Sequence, residues 1–120
     1  MTKTQITKLF DRIRKICLSL PEVKEVEAWG HATFRAPKKM FAAIGTEKDG
    51  SASLGLKMGF DRQEALLRDA RFFPTPYAAR QGWVSLRLQA RMDWAEVTAL
   101  ATEAFRQVAH KRLIKLLDAE

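Results

Sequence analysis

A length of 120 residues, with 47% apolar and 29% charged side chains, is that of one globular domain and excludes a disordered tail or a collagen-like repeat. Lys and Arg total 21 against 14 Asp and Glu, a formal charge of +7, which favours polyanionic partners over neutral ones. One cysteine, Cys17, permits neither an internal disulfide framework nor a metal cluster. No apolar run reaches the roughly 18 residues of a membrane span, and Met1–Lys8 lacks a secretion-signal stretch, so a cytoplasmic protein is expected.

Thr2 and Gln5 have capping-box spacing, in which each side chain satisfies a free N–H at a helix start. Ile6, Leu9, Phe10, Ile13, Ile16, Cys17 and Leu20 then recur at helical spacing and predict a first helix that Pro21 ends. Cys17 lies on this stripe, so packing is its expected role. The period next drops to two, the mark of strands. An irregular strand is expected over Val23–Trp29. Another follows over Ala32–Ala36, with Phe34 on one face and Thr33 and Arg35 on the other. Pro37-Lys38-Lys39 turns the chain into Met40–Ile44, and Asp49-Gly50 forms a hairpin turn into Ala52–Met58. There Ala52, Leu54, Leu56 and Met58 oppose Ser53, Gly55 and Lys57.

Asp61 and Glu64 repeat the capping-box spacing ahead of a short second helix, which breaks at Phe72-Phe73-Pro74. Trp83–Leu88 alternates as a strand, with Val84, Leu86 and Leu88 inward and Trp83, Ser85 and Arg87 outward. Asp93 and Glu96 open a long third helix carrying Trp94, Val97, Ala101, Ala104, Phe105 and Val108. It is expected to extend to Leu117, with His110 near its end favouring the helix dipole. The order α-β-β-β-β-α-β-α over one domain, residues 1–120, predicts the α+β class. An antiparallel sheet of four to six strands packs on helices as a two-layer sandwich.

The alternation leaves one sheet face to Thr33, Arg35, Ser53, Lys57, Trp83, Ser85 and Arg87. Cations contact phosphates, hydroxyls donate to them, and an indole plane stacks on bases. Lys38 and Lys39 at a hairpin tip, with Arg80 and Arg91 flanking the last strand, extend the set. Between Ala70 and Met92 there are four arginines (Arg71, Arg80, Arg87, Arg91) and no acid.

Two functional readings follow. One is a non-enzymatic module binding DNA or RNA through Arg35, Lys38, Lys39, Lys57, Arg80, Trp83, Arg87 and Arg91. Its affinity would be electrostatic and weakly sequence-specific, because no helix is rich in Arg, Asn or Gln. The other is a protein-interaction or small anionic-ligand domain. It would use an aromatic pocket of Trp29, Tyr77 and Trp83, with Arg80 holding the anionic group. His31 has no adjacent carboxylate or cysteine, and the glycines form no phosphate loop. No catalytic residue, metal, cofactor or membrane contact is therefore expected, and a monomer is.

From Leu9 to Val108 the chain resembles the MmcQ/YjbR-like family. The landmarks are Leu20-Pro21 followed by an acid, Lys39-Met40-Phe41-Ala42 and Leu54-Gly55-Leu56-Lys57. Phe73-Pro74-Thr75-Pro76-Tyr77, Trp83-Val84-Ser85-Leu86 and an acid opening the third helix complete the set. The resemblance implies a sandwich likened to the frataxin-type fold and to a double-wing DNA-binding domain, with no catalytic residue or cofactor. Lys39, Lys57 and Trp83 stand at family motif positions. The DNA-binding label of such proteins rests on fold analogy. Iron binding would call for an acidic first helix, and here Asp11 faces Lys8, Arg12, Arg14 and Lys15.

Overall fold

The computed structural model describes residues 1–119. Helix α1 (Lys3–Leu18) is followed by strands β1 (Lys24–Ala28), β2 (His31–Arg35), β3 (Met40–Thr46) and β4 (Ala52–Lys57), then by α2 (Phe60–Leu66). A short strand β5 (Phe72–Pro74), a 3-10 turn (Ala79–Gln81), β6 (Trp83–Arg87), α3 (Trp94–Val108) and α4 (Lys111–Asp118) complete the chain. All strands are antiparallel, in the order β1-β2-β3-β4-β6-β5. The expected α+β order therefore holds, with six strands in the sheet.

The helices bury their apolar stripes on one side of that sheet. Leu9, Ile13 and Cys17 of α1 and Val97, Leu100, Ala101, Ala104 and Phe105 of α3 meet Phe34, Ile44, Leu54, Leu56, Val84 and Leu86 from the strands. Cys17 is inaccessible in this core, and burial pushes its thiol up to about 12, so it stays protonated. Phe41 reaches the core through a bulge. Phe34 pairs with Ala42 and Arg35 with Met40, which leaves Phe41 unpaired between them. Its ring meets Phe105 edge-on, with centroids 5.7 Å apart.

Local signals match the ends of elements unevenly. Thr2 and Gln5 form the reciprocal capping box. Asp93 caps α3 by accepting from the Glu96 amide at 3.1 Å, while the Glu96 carboxylate turns to Arg71 at 2.7 Å. Asp93→Ala is expected to cost about 1 kcal/mol in urea unfolding, and Asp93→Asn much less. Asp61 does not cap α2. The helix is capped two residues earlier, at Gly59 with φ 80°, and Asp61 falls within the first turn. Tertiary contact sets that start: a Cβ on Gly82 would lie 3.0 Å from the Gly59 Cα, so the two backbones touch.

The third helix is shorter than its stripe implies. Ala109 and His110 are extended, at ψ 145° and 153°, and α4 sets off in a new direction. The break lets Leu113 return to the core, where it is fully buried, and an Arg106–Asp118 ion pair joins the two helices. His110 consequently precedes α4, without a side-chain capping bond, instead of ending α3. Phe72-Phe73-Pro74, expected as a break, is an edge strand paired to Leu86-Ser85-Val84. Pro74 is tolerated there because an edge residue has no required ladder partner.

Candidate nucleic-acid interface

The second face of the sheet is the one opposite the core that α1 and α3 cover. Strand pairing places three rows of side chains across it. At the end where β2 turns into β3 the row is Lys24, Arg35, Met40, Lys57 and Trp83. The middle row is Val26, Thr33, Ala43, Gly55, Ser85 and Phe73. At the far end His31, Gly45, Ser53 and Arg87 share the face, and the imidazole of His31 lies against Gly45.

Arg35, Lys57 and Trp83 thus meet on one row, as the alternation requires. Lys38 and Lys39 are exposed on the β2–β3 connection at the same end, and Arg80 is exposed on the 3-10 turn that leads into Trp83. Arg87 is four residues along β6 from Trp83, roughly 13 Å away at strand rise, and Arg91 lies beyond it. These two are separated from the other cations. Arg87 rests on the Phe73 ring at 4.6 Å and lies near Asp49. The Asp49 carboxyl is held below its usual range chiefly by hydrogen bonds from Ser51, with a smaller contribution from Arg87. Lys24 joins the cationic row although its strand looked irregular in sequence. Only its pairing with Arg35 reveals its face.

Other expected members of the site are closed off. Trp83 is 5% exposed, and its ring edge lies 3.7 Å from where a Gly55 Cβ would stand. It is buried on the open face yet belongs outside the main core, so it supplies no free stacking plane. Thr33, Ser53 and Ser85 are buried as well, and their hydroxyls are already engaged. Thr33 donates to the Val26 carbonyl, Ser53 donates to Glu47 at 2.8 Å, and Ser85 bonds the Thr75 hydroxyl at 2.8 Å. Hydroxyl contacts to phosphate are therefore ruled out in this conformation.

The aromatic pocket does not form. Trp29 stands on the β1–β2 turn and Trp83 on β6, four strand intervals and roughly 19 Å across the sheet. Trp29 and Tyr77 are 87% and 97% exposed, so neither lines an enclosed site. Two surface concavities of about 640 and 300 Å³, on α1 beside Thr98 and between α1 and β1–β3, contain none of the three.

Cations with and without carboxylate partners occur in both layers, and Arg12 of α1 lies over the Trp94 ring at 4.6 Å instead of in an ion pair. Among the described residues the ion pairs use Arg14, Arg62, Arg68, Arg71, Arg106 and Arg112. Hydrogen bonds from Arg112, Arg71 and Arg106 hold the carboxyls of Glu22, Asp69 and Asp118 below their usual range. None of Lys24, Arg35, Lys38, Lys39, Lys57 or Arg80 has a carboxylate partner within 4.0 Å among these pairs. Arg35 also keeps a buried Nε with no hydrogen-bond partner, and Lys57 donates only to the Gln81 carbonyl.

The family model described as YjbR matches residues 18–107. The chain belongs to the YjbR family. Its YjbR-matched portion includes the whole sheet and α3 as far as Gln107, while almost all of α1 and all of α4 lie outside it. A crystal structure of a Pseudomonas syringae protein, from a structural genomics effort, has the same fold with a TM-score of 0.64 at 17% identity. The likeness covers 89% of this chain and 98% of that one. Among curated proteins none matches. No helix among the described residues is long and apolar enough to cross a membrane, and none of their His, Cys, Asp and Glu side chains cluster as a metal site.

Proposed function

We propose that this YjbR-family protein is a non-catalytic nucleic-acid-binding module. The interface is one end of the open sheet face, with Lys24, Arg35, Lys57 and Arg80 on the sheet and its 3-10 turn and Lys38 and Lys39 on the adjoining hairpin. The observation that carries this reading is the convergence of cations without carboxylate partners. These six cations gather at one end of one sheet face, and none of them has a carboxylate within 4.0 Å among the ion pairs of the described residues. A cation without a carboxylate partner keeps its field for a phosphate, whose binding releases counterions from the nucleic acid, and of the six Lys24 shares part of its field with nearby Glu22. Backbone contacts of this kind fix position without reading bases, so little sequence preference follows.

The proposal has a quantitative test in gel retardation and fluorescence titration across salt concentrations. Five or six phosphate contacts predict a slope of log K against log salt of about −4 to −5. Lys38→Glu with Lys39→Glu should flatten that slope by about 2 and weaken binding at least tenfold. Arg87→Glu with Arg91→Glu, at the other end, should change affinity by less than about threefold. Equal losses from the two pairs would move the interface. A salt-independent affinity, or none at low salt, would end the nucleic-acid reading.

A further inference from the structure

We infer that the interface selects unpaired bases, with Tyr77 as the stacking plane that Trp83 does not provide. The inference rests on the proposed nucleic-acid reading and names the class of strand it takes. Tyr77 is 97% exposed and adopts φ 65°, a left-handed conformation costly for a bulky side chain. Its turn is nevertheless firmly held. The Ala78 and Ala79 amides both donate to the Thr75 carbonyl, at 3.2 and 2.9 Å, and the Thr75 hydroxyl is tied to Ser85 on the open face. Pro74 and Pro76 restrict the chain on the amino-terminal side of the ring. The result is a fixed backbone presenting a ring that packs against almost nothing.

Its surroundings supply the other half of a single-strand site. Tyr77 lies three residues before Arg80, and the Gln81 carbonyl binds Lys57 of the cationic row. Phe60, 63% exposed, starts α2 next to the Gly59–Gly82 backbone contact at the same end. Aromatic planes beside cations accept bases and phosphates of one strand together. In a duplex the base planes are covered by their neighbours, so a ring of this kind gains nothing from it. No helix among the described residues carries the Arg, Asn or Gln array that reads a major groove. Trp29 is the other exposed aromatic at positive φ, but it stands on the β1–β2 turn at the opposite end of the sheet, away from the cationic row.

Tyr77 is the sole tyrosine, so 3-fluorotyrosine labelling gives one ¹⁹F resonance from the full chain. That signal should shift or broaden with oligo(dT) and oligo(U) and stay in place with blunt duplex DNA. Tyr77→Ala should weaken oligo(dT) binding about tenfold and duplex binding by less than about twofold, with Tyr77→Phe retaining the affinity and Trp29→Ala serving as control. Oligonucleotide binding that leaves the resonance unmoved, or equal losses for single strand and duplex, would overturn the inference while the nucleic-acid proposal stands. Absence of binding by every nucleic acid would remove both.

Discussion

Phe41→Ala is expected to cost about 3–5 kcal/mol, the range for deleting a buried aromatic ring, and to lower the thermal midpoint by about 10–20 °C. Phe41 is fully buried, touches Phe105 edge-on and occupies the bulge position between two ladder pairs. Its loss opens a cavity at the place where the sheet meets α3. The same bulge lets Met40 pair with Arg35 on the open face while Phe41 turns inward. Folded variant protein is therefore expected to bind polyanions more weakly, although Phe41 itself lies on the opposite side of the sheet. Phe60→Ala, at a ring 63% exposed, supplies the comparison and should shift stability by no more than about 0.5 kcal/mol. Chemical unfolding of the two variants checks the contrast. Equal losses would mean that Phe41 is not a packing centre.

Gly82→Ala is expected to destabilise by about 3 kcal/mol, from left-handed strain of about 1–2 kcal/mol and a further 1–3 kcal/mol of overpacking. Gly82 has φ 86°, and a Cβ there would stand 3.0 Å from the Gly59 Cα, a backbone atom with little room to move. The Gly82 carbonyl also accepts the Met58 amide at 3.0 Å, so a shift disturbs the exit of β4. Gln63 of α2 bonds the Ala79 and Trp83 carbonyls at 2.7 and 2.8 Å, and it would have to follow. Gly50→Ala isolates the strain, since Gly50 has φ 84° but nothing within 4 Å of an added Cβ. That variant should lose only about 1–2 kcal/mol. Similar losses for both glycines in urea unfolding would show that the α2 contact carries no weight. Because Gly82 anchors the turn bearing Arg80 and Tyr77, Gly82→Ala should also weaken oligonucleotide binding at temperatures where it remains folded.

Much of the architecture was readable without coordinates, because it depends on short-range periodicity. Apolar spacing placed α1 and α3, alternation placed β2, β4 and β6, and Thr2 and Asp93 marked helix starts that form as expected. The errors fall where a distant contact overrode a local preference. Asp61 has capping chemistry, yet the Gly59–Gly82 approach fixes where α2 begins. Ala109 and His110 have no helix-breaking side chains, yet the core draws Leu113 inward and bends the chain there.

For the site, alternation along each strand is enough to tell which residues share a face of the sheet, since side-chain direction there has a period of two. Arg35, Lys57, Trp83 and Arg87 do lie on one side. Only the tertiary structure decided which of them stand together and which remain open to a partner. Strand order and register put Lys24 beside Arg35 and Arg87 at the far end, while packing in the folded chain buries Trp83 and leaves Tyr77 outside. The physical reason is that periodicity is a property of a few neighbouring residues. Burial and proximity depend on contacts between segments far apart in the chain, which no local pattern encodes.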